Sequence, residues 1–460
     1  MRFYNTLTRR LEEFRPIEEG KVGLYTCGPT VYDFPHIGNY RSYLFEDLVK
    51  RFLLFRGYRV THVMNITDID DKTIRKANEL KRPLADVTQQ YIDAFHADLK
   101  TLNILPADVY PRATGHIPEM QALVAALLAK GFAYEKDGSV YFSIARFADY
   151  GRLANLEKGS LKVGTAVDAD EYEKEAVQDF VLWKGKKPGE PSWPAPFGAG
   201  RPGWHVECSA MSMKYLGPHF DIHMGGVDNI FPHHENEIAQ SQCANGVTFV
   251  NYWLHCQHLI VDGMKMSKSL GNFYTLADLA RRGADPMAVR YLLLSSHYRK
   301  LLNFTLEGLD MAAQALQRIK NFLFSLRQVE AEGTADAGLA AEVEAALAGF
   351  AAALDDDFNV SGALAALFDL IARVNPRLSA LTRADAAGVL AAMERIDAVL
   401  GVMGRADEGP LDAEIEARIA LREKARREKD YRRADEIRAE LKKQGIALLD
   451  TPAGVKWKRE

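Results

Sequence analysis

Four cysteines in 460 residues, Cys27, Cys208, Cys243 and Cys256, are too few and too scattered for a disulfide framework. No apolar run approaches the length of a bilayer span. No apolar block follows Arg9 and Arg10, so a secretory leader is not expected. There is no internal repeat and no Cys-x-x-Cys pair. A one-sided charge is missing too: 58 Lys and Arg face 62 Asp and Glu, a net −4 that argues against indiscriminate nucleic-acid binding. RNA stays open, because a basic patch can sit inside an acidic whole. Free thiols fit a reducing cytoplasm, where they are available to hold metal, and no membrane partner is expected.

What remains is an ordinary globular composition, 47% hydrophobic and 26% charged, in a chain long enough for roughly three domains. Residues 22–27 read as a short apolar strand and Cys27-Gly28-Pro29-Thr30 as a turn. Helical spacing runs over 38–55 and Gly57 closes it. Residues 59–66 read as a second strand, followed by the polar turn Thr67-Asp68-Ile69-Asp70-Asp71. Strand, helix and strand make a βαβ unit, hence an α/β, Rossmann-like parallel sheet with ligands at its strand ends. The pattern loosens between about 115 and 200, an insertion that interrupts the sheet, and strands return over 220–226 and 252–261. Beyond about 275 helix dominates: Asp285 caps a helix with Pro286 in its first position, and 335–403 is Ala- and Leu-rich at helical spacing. Residues 418–460 carry 14 Lys and Arg against 8 Asp and Glu. There a helix is expected over 418–443, with Trp457 exposed in a basic tail.

Three local patterns carry chemistry. Residues 231–237 open a helix with Pro232 in its first turn, and His233 and Glu237, four apart, share one face. With Cys27 at a strand end and Cys208 after Gly203-Trp204-His205-Val206-Glu207, they form a set suited to tetrahedral zinc. The competing explanation is buried free thiols and a solvated helix start. His36-Ile37-Gly38-Asn39 lies at a helix N-terminus, where backbone N–H groups favour phosphate and Gly38 admits a flat ring. Lys265-Met266-Ser267-Lys268-Ser269, between Gly263 and Gly271, reads as a cationic loop able to close over a triphosphate.

Together these segments resemble the class I aminoacyl-tRNA synthetases, which place a HIGH-type element and a KMSKS loop in one Rossmann-like domain. Cys27-Gly28-Pro29-Thr30-Val31-Tyr32-Asp33, Asn65-Ile66-Thr67-Asp68-Ile69-Asp70-Asp71-Lys72, Gly203-Trp204-His205-Val206-Glu207-Cys208-Ser209 and residues 231–240 narrow the resemblance to the cysteinyl-tRNA synthetase family. The run Arg432-Arg433-Ala434-Asp435-Glu436-Ile437-Arg438, with Asp450-Thr451-Pro452, is similar to that family's anticodon-binding end. Two positions depart from the pattern. Asn39 stands where a second His is usual, and Met224 interrupts a glycine run before Asp228.

The resemblance implies catalytic-domain halves over 1–114 and 203–262, and a connective insertion over 115–202. It further implies a KMSKS loop and stem-contact region over 263–310, a helical bundle over 311–403 and an anticodon-binding domain over 404–460. It implies one zinc per chain on Cys27, Cys208, His233 and Glu237, with Cys243 and Cys256 as packing thiols. ATP, with Mg²⁺, would meet His36, Gly38, Asn39, Gly226, Asp228, Lys265 and Lys268. L-cysteine would meet Cys27, Gly28, Thr30, Thr67 and Trp204, and the second partner would be tRNA(Cys). Two other readings share parts of this pattern: a ligase joining cysteine to an amino sugar, and a silent RNA-binding paralogue. The basic C-terminal region speaks against the first, and the intact lysine loop and metal set against the second.

Overall fold

A computed structural model describes residues 1–156, 161–167, 177–267, 270–403, 411–443, 445–451 and 454–459. Its centre is a four-stranded parallel sheet. The strands are β1 (Lys21–Thr26), β2 (Arg59–Met64), β3 (Phe220–Gly226) and β4 (Val250–Cys256), in the order β4–β3–β1–β2. The chain moves outward from β1 to β2 on one side and from β3 to β4 on the other. The switch point therefore lies between β1 and β3, the crevice where doubly wound sheets take ligands.

Helix α1 (Ile37–Phe55) follows β1 and starts at a reciprocal cap: the His36 ring accepts from the Asn39 N–H, and the Asn39 side chain accepts from the His36 N–H. Its turn away from the sheet ends at Gly57, at φ +87. Most of α1 is buried, since it is covered by the sheet on one side and by the helical region on the other. After β2, α2 (Asp71–Leu80) begins at Asp70, whose carboxylate accepts from the Thr73 N–H at 2.7 Å. Helices α3 (Trp204–Leu216) and α4 (Glu235–Asn245) flank β3.

The stretch whose pattern loosens carries a sheet of its own. Strands Ala133–Lys136, Ser139–Phe142, Val177–Gly185 and Leu161–Val167 lie in that order, and Gly200–Pro202 pairs with Val177–Gly185. Three expectations are corrected. The strand expected over 252–261 is two: β4 ends at Cys256, and Leu259–Val261 pairs with Leu302–Phe304 in a separate ribbon. The helix expected from 231 starts at Glu235. It is preceded by a tight turn, Ile230–His234, in which Phe231 is extended at φ −138, ψ 133. The single helix expected over 418–443 is two, Leu411–Arg427 and Tyr431–Lys443, broken at Lys429 (φ 63). The hairpin Ile446–Thr451 with Gly454–Arg459 follows them.

Helices Leu306–Arg327, Ala337–Asp355, Val360–Val374 and Arg383–Leu400 form the bundle. Ala337–Asp355 is long and apolar enough to cross a membrane by length and composition, an exception to the expectation that no such stretch exists. Its larger side chains, Leu339, Val343, Leu347, Phe350 and Leu354, recur every three or four residues and are buried in the core that the bundle shares with α1.

Arg290 ties the bundle to the sheet domain. Fully buried, it donates to the Asp47 carboxylate on α1, to the Leu102 and Asn103 carbonyls and to the Leu400 carbonyl. Arg290 shares Asp47 and the Asn103 carbonyl with Arg51, and its planar fork reaches all four acceptors at once, which no other side chain reproduces. Arg290→Met should lower unfolding stability by about 3 kcal/mol, measured by urea denaturation.

Candidate metal and nucleotide site

The site is assembled where β1 and β3 end. Cys27 follows β1, and its amide donates to the Met224 carbonyl of β3. Gly28 comes next, pressed against the chain after β2: a Cβ there would lie 1.8 Å from the Asn65 carbonyl oxygen, so only glycine fits. Its N–H donates to Asn65 Oδ1 at 2.9 Å. The loop is then laced to the β2 end, with the Thr67 N–H donating to the Pro29 carbonyl and the Val31 N–H to the Thr67 carbonyl. Thr30 bridges to Thr67 in the same ladder. Buried Thr67 donates its hydroxyl to Glu207 Oε2 of α3 at 2.9 Å.

One turn along α3, Cys208 points into the same space. Cys27, Cys208, His233 and Glu237 bring four ligand atoms within 4.8 Å of one another. Burial pushes the Cys27 thiol and the Glu237 carboxyl well above their ordinary ranges. Burial also opposes ionisation of Cys208, but the hydrogen bond with Cys27 and the neighbouring His233 outweigh it and hold this thiol well below the usual value. Among the described residues, no lysine or arginine forms an ion pair with the Cys27 or Cys208 thiol or the Glu237 carboxylate. Two thiols, an imidazole and a carboxylate, buried together, are a donor set that suits a zinc ion.

Around the set lies a shell that the sequence reading missed. His223 Nε2 sits 3.0 Å from Glu237 Oε2, on the far side from His233. His234 Nε2 lies 3.1 Å from Cys27 Sγ, and its Nδ1 is 2.8 Å from His255. Burial drives His223 and His255 down to about 3 and His234 well below its normal value, so all three are neutral. Cys27, His223, His234 and Glu237 also form a second four-atom cluster. One signal was available: His223, like Asp221, is a polar side chain in a short strand buried along nearly its whole length. Trp204 is no distant core aromatic, for its ring stacks on His233 at 4.1 Å and 19°. Cys243 and Cys256 lie outside both clusters, each pushed up to about 12 by burial.

At the opening of the crevice, the His36 element and the lysine loop meet. The Ile37 N–H donates to the Tyr274 carbonyl, the His36 ring packs edge-on against Phe273, and Gly38 lies against Met266. Asn272 holds the loop's shape, accepting from the Ser267 N–H at 2.8 Å and donating to the Lys265 carbonyl at 3.2 Å. Lys265 is exposed; Lys268 lies outside the described residues. Asp228 is exposed just beyond β3, and a Cβ on Gly226 would run into its carboxylate at 2.2 Å. Asn39 spends its carbonyl on the cap. Met224 is buried in the main core, so its side chain takes no space from the crevice.

A family model described as the tRNA synthetases class I (C) catalytic domain matches residues 13–314. A DALR domain model matches 349–404, and a cysteinyl-tRNA ligase anticodon binding domain model matches 408–457. A cysteine–tRNA ligase of Brachyspira hyodysenteriae is 49% identical over 469 aligned positions, covering 100% of this chain and 99% of the relative. The chain belongs to the cysteinyl-tRNA synthetase family. A second such ligase, from Chlamydia muridarum, is 49% identical and covers 99% of each chain. Among solved structures, methionyl-tRNA synthetase of Mycobacterium tuberculosis in complex with methionyl-adenylate aligns with a TM-score of 0.60 at 17% identity. It covers 83% of this chain and 90% of that one. A LeuRS–tRNA–LeuAMS complex from Agrobacterium radiobacter aligns at 0.63 and 13%, covering 85% of each. Both share the fold with this synthetase.

Because the obstacle at position 28 is backbone, this loop cannot yield cheaply. Gly28→Ala should cost about 3 kcal/mol of stability in a thermal or urea melt, at the upper end of overpacking effects.

Proposed function

We propose that this synthetase activates L-cysteine with ATP to cysteinyl-adenylate and pyrophosphate, then passes cysteine to the 3′ end of tRNA(Cys). The observation that carries the reading is the buried convergence of Cys27, Cys208, His233 and Glu237 at the switch point, with Trp204 stacked over His233. These four residues would hold zinc, which when bound supplies a thiolate-selective Lewis-acid contact. Serine differs from cysteine by one atom, and a pocket judging size alone discriminates by only about 1–3 kcal/mol per small group. A donor set that favours thiolate over a neutral hydroxyl makes the choice chemical instead.

The remaining residues position and stabilise charge. Nδ1 of His36 accepts from the Asn39 amide, so the neutral ring carries its proton on Nε2, a donor for phosphate. Lys265 and Lys268 supply positive charge as the cysteine carboxylate attacks the α-phosphate, with Mg²⁺ accompanying ATP. Asp228, kept clear by Gly226, accepts from the ribose hydroxyls. Asn39 supplies its side-chain Nδ2–H where a charged ring is usual. Gly28, Thr30 and Thr67 close the amino-acid side, and Trp204 covers it.

Purified protein should carry about one zinc per chain by metal analysis and should charge tRNA(Cys) with cysteine but not with serine. Active enzyme free of zinc, or equal charging with serine, defeats the reading.

The C-terminal region has its own small core of Ile415, Ile419, Ile437, Leu441, Ile446 and Leu448. Trp457 belongs to it rather than to an exposed tail: it is half-buried and donates its indole N–H to Glu416 at 2.6 Å. We assign anticodon contact to the basic side chains of this region rather than to a tryptophan in an exposed tail. Deleting residues 404–460 should spare cysteine-dependent pyrophosphate exchange while cutting tRNA charging severely, measured side by side on the folded fragment.

A further inference from the structure

Between the metal set and His36, the loop after β1 turns two aromatic rings outward. Tyr32 is 37% exposed and Phe34 44%, although neighbouring Val31, Pro35 and Ile37 are buried. A soluble protein that exposes large aromatics beside its reaction crevice forgoes burial worth a few kcal/mol. The Phe34 ring rests edge-on against buried Tyr91 at 5.0 Å, which fixes its direction without covering it. Lys72 of α2 lies over the Tyr32 ring at 5.7 Å. Lys72, Arg75 and Lys76 follow one another at helical spacing on α2, opposite its buried Thr73, Ile74 and Ala77.

The acids nearby are already engaged. Asp33 accepts from the Phe34 N–H, Asp70 caps α2, and Asp71 pairs with buried Lys184 and Arg201. The patch is thus aromatic and cationic, the combination that holds an unpaired nucleotide: a flat ring for the base and ammonium or guanidinium groups for the phosphate.

Two sources could supply the base, the adenine of ATP or the end of the RNA. The sheet order separates them. Gly226 and Asp228 follow β3, whereas the Tyr32 loop is laced to Thr67 beyond β2 and its ring lies under Lys72 of α2. We propose that Tyr32, flanked by Phe34 and the cationic face of α2, is a stacking platform for the unpaired 3′-terminal base of tRNA as it enters the cysteine site. The proposal rests on the aminoacylation reading above.

The test separates the two steps of that reaction. Tyr32→Ala should keep cysteine-dependent pyrophosphate exchange within about twofold of the parent. Single-turnover transfer from preformed adenylate to tRNA should slow about ten- to a hundredfold, the range expected for one lost base–aromatic stack. Tyr32→Phe, which keeps the ring, should restore transfer. Removing the 3′-terminal adenosine from tRNA should weaken binding to the parent enzyme but have little further effect on Tyr32→Ala. Exchange falling as far as transfer would assign Tyr32 to ATP and overturn the proposal. Unchanged transfer, or a Phe variant as poor as Ala, would overturn it equally. Absence of cysteine-dependent exchange in the parent enzyme would instead defeat the aminoacylation reading itself.

Discussion

Everything at this centre follows from burying two thiols, a carboxylate and an imidazole together. Such a cluster is costly in a low-dielectric interior unless protons or a metal take up the charge. Its members come from three separated segments, so the sheet order, the approach of Gly28 to Asn65 and the start of α4 must hold simultaneously. The lacing of the Cys27 loop to Thr67, and of Thr67 to Glu207, lets strand ends and α3 settle as one unit.

A division of labour along β1 follows. On one side, β3 and the lysine loop offer glycine clearances, the Asp228 carboxylate and exposed Lys265, the groups proposed above to meet ATP. The ends of β1 and β2, with α3, offer Cys27, Thr67, Cys208 and the aromatic cover of Trp204. His36 stands between the two, with its ring orientation set by an ordinary helix cap. The same hydrogen bonds that start α1 also occupy Nδ1 of the His36 ring.

How far this was legible depended on whether a signal was local. β1, β3 and α1 could be read within a residue or so because short apolar runs and helical spacing both ended at glycine or polar turns. His233 and Glu237 stood out through their spacing, and the two useful cysteines through their positions at element ends. His223, His234 and His255 did not, because their partners lie across strands and helices that only the fold brings together. The insertion was expected over 115–202, but its five strands were not read, because two of them are only four residues long and Pro and Gly crowd residues 185–203. The break at Lys429 escaped because a left-handed lysine leaves no mark on a charged helical pattern. Trp457 was misread for a related reason: in isolation a tryptophan among lysines looks solvent-facing, and the hairpin that turns it inward is a tertiary feature.

α1 has a mechanical aspect as well. Its 19 residues make a rod about 28 Å long. One tip carries His36, while Asp47 and Arg51, nearer the other end, are fastened to the bundle through Arg290, the Ala398 carbonyl and the Asn103 carbonyl. Between His36 and that fastening lie about 16–22 Å of helix, so a tilt of about 3° there moves the His36 end by roughly 1 Å, a displacement large enough to cost about a hundredfold in a positioned reaction. Substitutions deep in the helical bundle, far from any substrate, therefore reach the chemistry as an angle.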